Sequence, residues 1–350
     1  MTEKMKAARI FGKQDMRVVD IPIPEVGPEQ ALIKVKAVGV CGSDVELYEG
    51  DHPYLEWGCT TLPITPGHEW AGVIEEVGED VTDFGPGDRV VGDVSLGCGD
   101  CSYCMSGRYN LCPNRRVVGS YRNKEGGFAE YIVMPARNLY NVPESISMPE
   151  AALVESAATC VYGVMRTDIE MGDTVLVIGD GPIGQLAVQC ADAAGAKEVI
   201  LSGSYDEKLA IVEKLCNAET INRHNQEVIE AVMEYTAGQG ADVVIEACGN
   251  ETGLQQAIEA VKPGGELCLL SIYPQSELTV DVNTTIVKDL DIHNCLASPN
   301  AFQPTIDMME SGKIQTQDLI TQTLSLKDAE GAFDFIYEER AKTLKVVITP

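Results

Sequence analysis

Four cysteines fall within sixteen residues, "GCGDCSYCMSGRYNLC", as Cys98, Cys101, Cys104 and Cys112 in the pattern C-x2-C-x2-C-x7-C. The two-residue gaps let neighbouring thiolates turn toward one point, and the longer gap lets a loop bring in the fourth. Four thiolates leave no open coordination position, so a metal held there is structural. Zinc and an iron–sulfur cluster both use such a set. Gly97, Gly99 and Gly107 allow the tight turns this loop needs. The N-terminal "MTEKMKAARIF" has no apolar core of signal-peptide length, so a reducing, cytoplasmic setting is expected. There, clustered cysteines point to metal rather than disulfides. Cys190, Cys216 and Cys268 stand singly in apolar runs and read as core.

A second group has mixed donors. Cys41 lies in "GVCGSDVE" and His68 in "PGHEWAG"; Glu69 adjoins the histidine, and Glu155 in "ALVESAATC" offers a further carboxylate. A Cys/His/Glu set with room for water or substrate is what a catalytic zinc requires. Asp44 is placed either to orient the His68 ring or to cap a turn.

The third chemical feature is G-x-G-x-x-G. Gly179, Gly181 and Gly184, with Pro182 and Ile183 between them, follow the apolar run Val175–Ile178 and open a helix. Such glycines bring backbone close to a pyrophosphate, and the helix N-terminus faces the phosphates. An NAD enzyme usually carries an acid about 20 residues beyond the glycines. Gly203 stands at that place, followed by Ser204, Tyr205 and, nearby, Lys208. A small uncharged pocket with a Ser204 hydroxyl favours NADP; Asp206 swinging in would favour NAD. Asp180, inside the glycine turn, is expected to point to solvent, since a carboxylate beside pyrophosphate is unfavourable.

These residues need an α/β frame. Short strands such as "ALIKVKAVGV" (31–40) and "AGVIEEVG" (71–78) fill the first part of the chain, with many glycine and proline turns. From 173 onward, strands alternate with helical segments; "ADVVIEAC" (241–248) and "GELCLLSI" (265–272) are further strands of a doubly wound parallel sheet. A helix ("AFQPTIDMMESG") and a last strand ("LKVVIT", 344–349) follow. The net charge of −28 repels nucleic acid and anionic membranes, and no apolar run approaches the ~20 residues of a membrane span. A small molecule is the expected partner.

Gly67-His68-Glu69 with Gly72, Gly78 and Val81 gives G-H-E-x2-G-x5-G-x2-V, which resembles the signature of zinc-containing medium-chain alcohol and polyol dehydrogenases, among them those for sorbitol, threonine and 2-deoxy-scyllo-inosamine. Cys41-Gly42-Ser43-Asp44, the four-cysteine segment, "GDRV" (Gly87–Val90) and "GGFAEY" (Gly126–Tyr131) match in the same order, so the resemblance covers essentially the whole chain. It implies zinc in the cysteine loop and a catalytic zinc on Cys41, His68 and Glu155. Glu69 would be an exchanging ligand or a base, Ser43 a proton relay, and Thr159 a nicotinamide contact. The fold implied is a GroES-like β-barrel catalytic domain (1–150 and 296–350) plus a Rossmann domain (151–295), with substrate and nicotinamide in the cleft and homodimers or homotetramers formed through the sheet edge. The activity implied is hydride transfer between a secondary alcohol of a polyol, sugar or cyclitol and NAD(P). Threonine or a simple alcohol is the second reading, and a non-catalytic binding protein the third.

Some positions depart from the family. Glu46 replaces a histidine that many members carry, with His52 a possible substitute. Ala297 and Ser298 stand where sorbitol dehydrogenases carry an Arg-Tyr pair, which counts against sorbitol itself. In NADP-dependent members a Gly-Ser-Arg run follows the second strand, and here the third position is Tyr205. Trp57 and Trp70 are candidates to wall a sugar pocket.

Overall fold

Lys34 and Lys36 face solvent between buried Ile33, Val35 and Ala37, the two-residue period of a strand with one face on a core. That strand, Gln30–Gly39, is central to the first of two units in the computed structural model, which describes residues 3–274 and 277–350. The first unit comprises Met1–Glu155, Ser298–Glu310 and Ile320–Pro350; the second comprises Ser156–Ala297 and Ser311–Leu319.

The first unit is built on a seven-stranded sheet. Its strands run in the order Ile320–Ser325, Lys345–Thr349, Gln30–Gly39, Glu69–Val77, Arg89–Gly92 and Leu139–Asn141, with Tyr131–Pro135 also paired to Gln30–Gly39. The register matters more than the order. Gly39 pairs with Glu69 on one side and with Val347 on the other. The end of one strand and the starts of two others therefore meet at one place. Trp70, Phe128, Phe333 and Ile33 fill the core beneath. Trp70 is buried there, and a Cβ on Gly92 would strike its ring, so this tryptophan packs the core rather than walling a pocket.

The second unit is a six-stranded, all-parallel sheet. Its order is Ala218–Asn222, Glu198–Gly203, Thr174–Ile178, Ala241–Glu246, Val261–Leu269 and Asp291–Asn294. The first strand in sequence lies inside the sheet and all five of its residues are buried, as a strand covered on both faces must be. The order reverses beside it, which is the topological switch point of a doubly wound sheet. The stretch 311–319 was expected with the rest of 296–350 in the first unit. It belongs instead to the second, where the Gln315 amide donates to Gln189 Oε1 at 2.7 Å and Gln189 Nε2 donates back to the Gln315 carbonyl at 3.1 Å. Among the described residues no helix is long and apolar enough to cross a membrane.

Candidate metal and dinucleotide sites

Cys41 ends the central strand's exit and caps the helix Gly42–Glu49. His68 and Glu69 open the neighbouring strand, in register with Gly39. Cys41, His68 and Glu69 each offer a donor atom within 4.8 Å of the other two. Asp44 ties the two segments together: one carboxylate oxygen accepts the Cys41 amide at 2.9 Å and the other the Gly67 amide at 3.0 Å. Its oxygen stands 3.8 Å from His68 Nδ1, beyond hydrogen-bond range, so Asp44 serves as a cap and brace rather than as a bonded holder of the ring.

Glu155 lies in the first turn of the helix Val154–Met165, and burial lifts its carboxyl to about 7, with Glu69 adding to the rise and His68 and Lys345 opposing it. Thr159 follows one turn later on the same helix and is half-buried. Ser43 is half-buried on the first turn of Gly42–Glu49.

One partner was invisible in the sequence. Lys345, buried at the start of Lys345–Thr349, places Nζ 2.6 and 2.7 Å from the two oxygens of Glu69 and 3.3 Å from the Val40 carbonyl. Burial opposes the ammonium form, but Glu69, Cys41 and Glu155 outweigh it and raise the amine above its ordinary value. The same contest raises His68, where burial is overcome by Cys41, Asp44 and Glu155. A pocket holding this many acceptors, and a buried His68 Nδ1 with no hydrogen-bond partner, is chemically suited to a divalent cation. The residues fit zinc.

The four-cysteine loop fits it too. Cys98 Sγ stands 3.5 Å from Cys112 Sγ and 3.9 Å from Cys104 Sγ, and all four sulfurs lie within 4.8 Å of one another. The edge of a zinc–thiolate tetrahedron is about 3.8 Å for Zn–S near 2.3 Å, whereas a disulfide is about 2.05 Å. The amides of Cys98 and Asn114 point at Cys112 Sγ at 3.4 and 3.3 Å. Tyr109, inside the loop, donates its hydroxyl to Asp93 Oδ2 at 2.5 Å and accepts the Asn300 amide at 2.8 Å, which fastens the loop to the body of its unit.

In the second unit Gly181 caps the helix Pro182–Ala194, which Pro182 and Ile183 begin. Gly179 takes φ 120°. A Cβ on Gly184 would collide with the Gly179 carbonyl, so the glycine is what lets helix and strand close up. Asp180 does not point to solvent as expected. Its Oδ2 accepts the amides of Ser204 and Tyr205 at 2.6 and 2.9 Å, and a Cβ on Gly203 would stand 2.5 Å from Asp180 Cβ. Two N–H donors at the strand end thus hold this carboxylate.

Lys208 lays its ammonium 5.1 Å from the Tyr205 ring centroid. Ser204 Oγ accepts from Arg223 Nε at 2.7 Å, a basic neighbour the sequence reading missed because it arrives from the next strand's end. Asp206 Oδ1 accepts from the Asn222 side-chain amide at 2.5 Å.

The alcohol dehydrogenase GroES-like domain family matches residues 27–144, and the zinc-binding dehydrogenase family matches residues 182–311. A sorbitol dehydrogenase of Bacillus subtilis is 32% identical, over 99% of this chain and 98% of that protein. An L-threonine 3-dehydrogenase of Marinomonas sp. is 31% identical, over 93% of this chain and 94% of that one. The crystal structure of a zinc-binding dehydrogenase from Sinorhizobium meliloti 1021, bound to NADP, superposes with a TM-score of 0.88 at 32% identity, covering all of both chains. With both family regions matched and the relatives covered almost end to end, the chain belongs to the zinc-containing medium-chain alcohol and polyol dehydrogenases, oxidoreductases that join a GroES-like domain to a Rossmann domain.

Proposed function

We propose that this enzyme oxidises a secondary alcohol of a polyol, sugar or cyclitol with NADP, using a catalytic zinc held by Cys41, His68 and Glu155 with Glu69 beside them, and a structural zinc on Cys98, Cys101, Cys104 and Cys112. The observation that carries it is the meeting of Cys41, His68 and Glu69 at one buried point, with Glu155 electrostatically tied to the last two. When bound, zinc supplies Lewis acidity to the substrate hydroxyl, and the nicotinamide takes the hydride from the carbinol carbon.

The chain's own residues do the rest. Ser43, in the first turn of the helix that Cys41 caps, hands the hydroxyl proton outward. Lys345 occupies both oxygens of Glu69, which leaves Glu69 a positioning group and Glu155 the carboxylate donor. Gly179, Gly181 and Gly184 admit the pyrophosphate, Thr159 flanks the nicotinamide, and Lys208 stiffens the Ser204–Tyr205 corner. Ser204 and Arg223 supply a hydroxyl and a cation for a 2′-phosphate where Gly203 offers no acid. Exposed Ile292 on the edge strand, with exposed Val282, Ile286 and Val287 on the helix before it, supports a homodimer or homotetramer built on that edge. We place the enzyme in the cytoplasm, where clustered thiolates stay free to hold metal.

The test is nicotinamide absorbance with zinc-loaded enzyme, offering NAD and NADP separately against polyols, aldoses, inositols, amino-cyclitols, threonine and simple alcohols. Chelator-sensitive turnover of a polyol or ring alcohol with NADP is the expected result. Turnover confined to threonine or simple alcohols overturns the substrate class, and a preference for NAD overturns the cofactor.

A further inference from the structure

The strand Ala241–Glu246 runs apolar through Val243, Val244 and Ile245 and then ends on a carboxylate that is fully buried. A carboxylate in such a place is costly unless donors meet its oxygens. Glu246 has four. Oε1 accepts the amides of Cys248 and Gly249, each at 2.8 Å, and the Cys248 thiol at 2.9 Å; Oε2 accepts the Tyr273 hydroxyl at 2.7 Å. Burial, and then the Glu246 charge, push the Cys248 thiol up to about 12, so it stays a donor.

The donors come from two segments. Cys248 and Gly249 follow Glu246 at the end of its own strand, and Tyr273 comes from beyond the neighbouring strand Val261–Leu269. The segments touch: a Cβ on Gly249 would stand 3.2 Å from the Ile272 carbonyl oxygen and 3.3 Å from Ser271 Cβ. One side chain thus ties two loops together at the carboxyl ends of adjacent strands.

Those loops border the switch point. Glu246 pairs with Ile178, the residue before Gly179. From Thr174–Ile178 the chain goes outward to Glu198–Gly203 and Ala218–Asn222, then returns to Ala241–Glu246 on the other side. In such sheets the ligand enters the crevice at that reversal. The Ala247 amide donates to the Ile178 carbonyl at 2.9 Å. A Cβ on Gly179 would stand 3.0 Å from the Ala247 carbonyl and from Cys248 Cβ, so residues 247–249 lie against the first glycine of the pyrophosphate turn. A Cβ on Gly253 would strike Cys248 Sγ, so the helix Glu251–Ala260 closes on them as well. A segment packed this tightly takes its path from whatever holds its amides, and Glu246 holds two in a row.

We propose that Glu246 is a positioning residue for the dinucleotide: its carboxylate fixes residues 247–249 against Gly179 and so sets one wall of the crevice that the cofactor enters. The inference rests on the dinucleotide reading of the second unit, whichever of NAD and NADP is preferred. Glu246 itself is buried behind the wall it shapes and acts through the backbone it holds.

The test uses zinc-loaded enzyme and reads binding of NADPH and of NADH by nicotinamide fluorescence, with steady-state kinetics beside it. Glu246→Ala removes all four hydrogen bonds and should weaken dinucleotide binding about 30-fold. Tyr273→Phe removes one and should weaken it about threefold. Glu246→Gln keeps an oxygen for the two amides and turns its NH2 to Tyr273 Oη, an acceptor, so binding should fall by no more than about threefold. In Glu246→Ala and Tyr273→Phe the KM for the cofactor should rise with Kd, while KM for the alcohol holds and kcat at saturating cofactor does not fall. A lower melting temperature with an unchanged Kd for the folded enzyme would mean a structural role only and overturns the proposal. Glu246→Gln binding as weakly as Glu246→Ala also overturns it, since the charge and not the hold on the loop would then matter. Tyr273 is half-buried, so Tyr273→Phe decides if Glu246→Ala does not fold, and an unchanged Kd there counts against the proposal. Wild-type enzyme that binds neither dinucleotide would remove the dinucleotide reading itself; binding kept in every variant would remove only the role of Glu246.

Discussion

The four-cysteine loop takes all its donors from Cys98–Cys112, a single stretch, while the mixed site draws on Cys41, His68, Glu69 and Lys345, residues brought together by strand register. The loop is self-contained: its four sulfurs lie within 4.8 Å of one another, and Tyr109 fastens it through Asp93 and Asn300. The mixed site is braced from outside, by Asp44 across two segments and by Lys345 under Glu69. A closed site can tolerate a loose frame because its geometry is set by the metal. An open one keeps a position free for substrate, so the frame must set the geometry instead.

Four measurements bear on that contrast, the largest effect first. Cys41→Ser should remove one zinc per chain and lower kcat/KM by more than the roughly 10–100-fold typical of outer partners, with melting little changed; a large fall in melting temperature would erase the distinction. Lys345→Met should strand Glu69 as a buried charge, costing about 3–5 kcal/mol in denaturant unfolding. Cys101→Ser should also lose one zinc, but with a drop in thermal stability and kcat/KM of the folded fraction kept within about threefold, since the loop touches no reacting atom. Full zinc content with unchanged melting there would count against the structural site.

The smallest effect concerns pH. Burial, with Asp51 and Asp44, raises Glu46 to about 7, and burial with His68 lowers His52 to about 4. Below pH 4.5 the protonated Glu46 costs nothing; its stabilisation is lost as pH rises from 4.5 through about 7. His52 acts oppositely, losing stabilisation as pH falls from 6.5 through 4. The two offset each other between, so the net decline shows near neutrality. Glu46→Gln should abolish it, by about 1 kcal/mol between pH 6.5 and 8 in urea melts. An unchanged profile would show that the open site's surroundings are as inert to pH as a closed site's.

How much was legible follows the same division. The cysteine loop, the G-H-E segment and the glycine turn are local patterns, and the strands read at 31–40, 71–78, 241–248 and 344–349 fall on Gln30–Gly39, Glu69–Val77, Ala241–Glu246 and Lys345–Thr349. Lys345 was not legible because its role depends on Val347 pairing with Gly39, and register is a property of the assembled sheet. Arg223 and Asp180 were missed or misread for a related reason. Each meets Ser204 from a different strand end, and no spacing in the sequence measures that distance.

The ammonium beneath Glu69 also has a consequence in time. Lys345 leaves the ribosome after Cys41, His68, Glu69, Glu155 and the whole second unit have emerged. Until then the nascent chain holds a half-built centre, without the ammonium that contacts both oxygens of Glu69. Closure of the centre thus waits on a strand made after every candidate ligand, and a chain interrupted before that lysine lacks the group that holds both oxygens of Glu69.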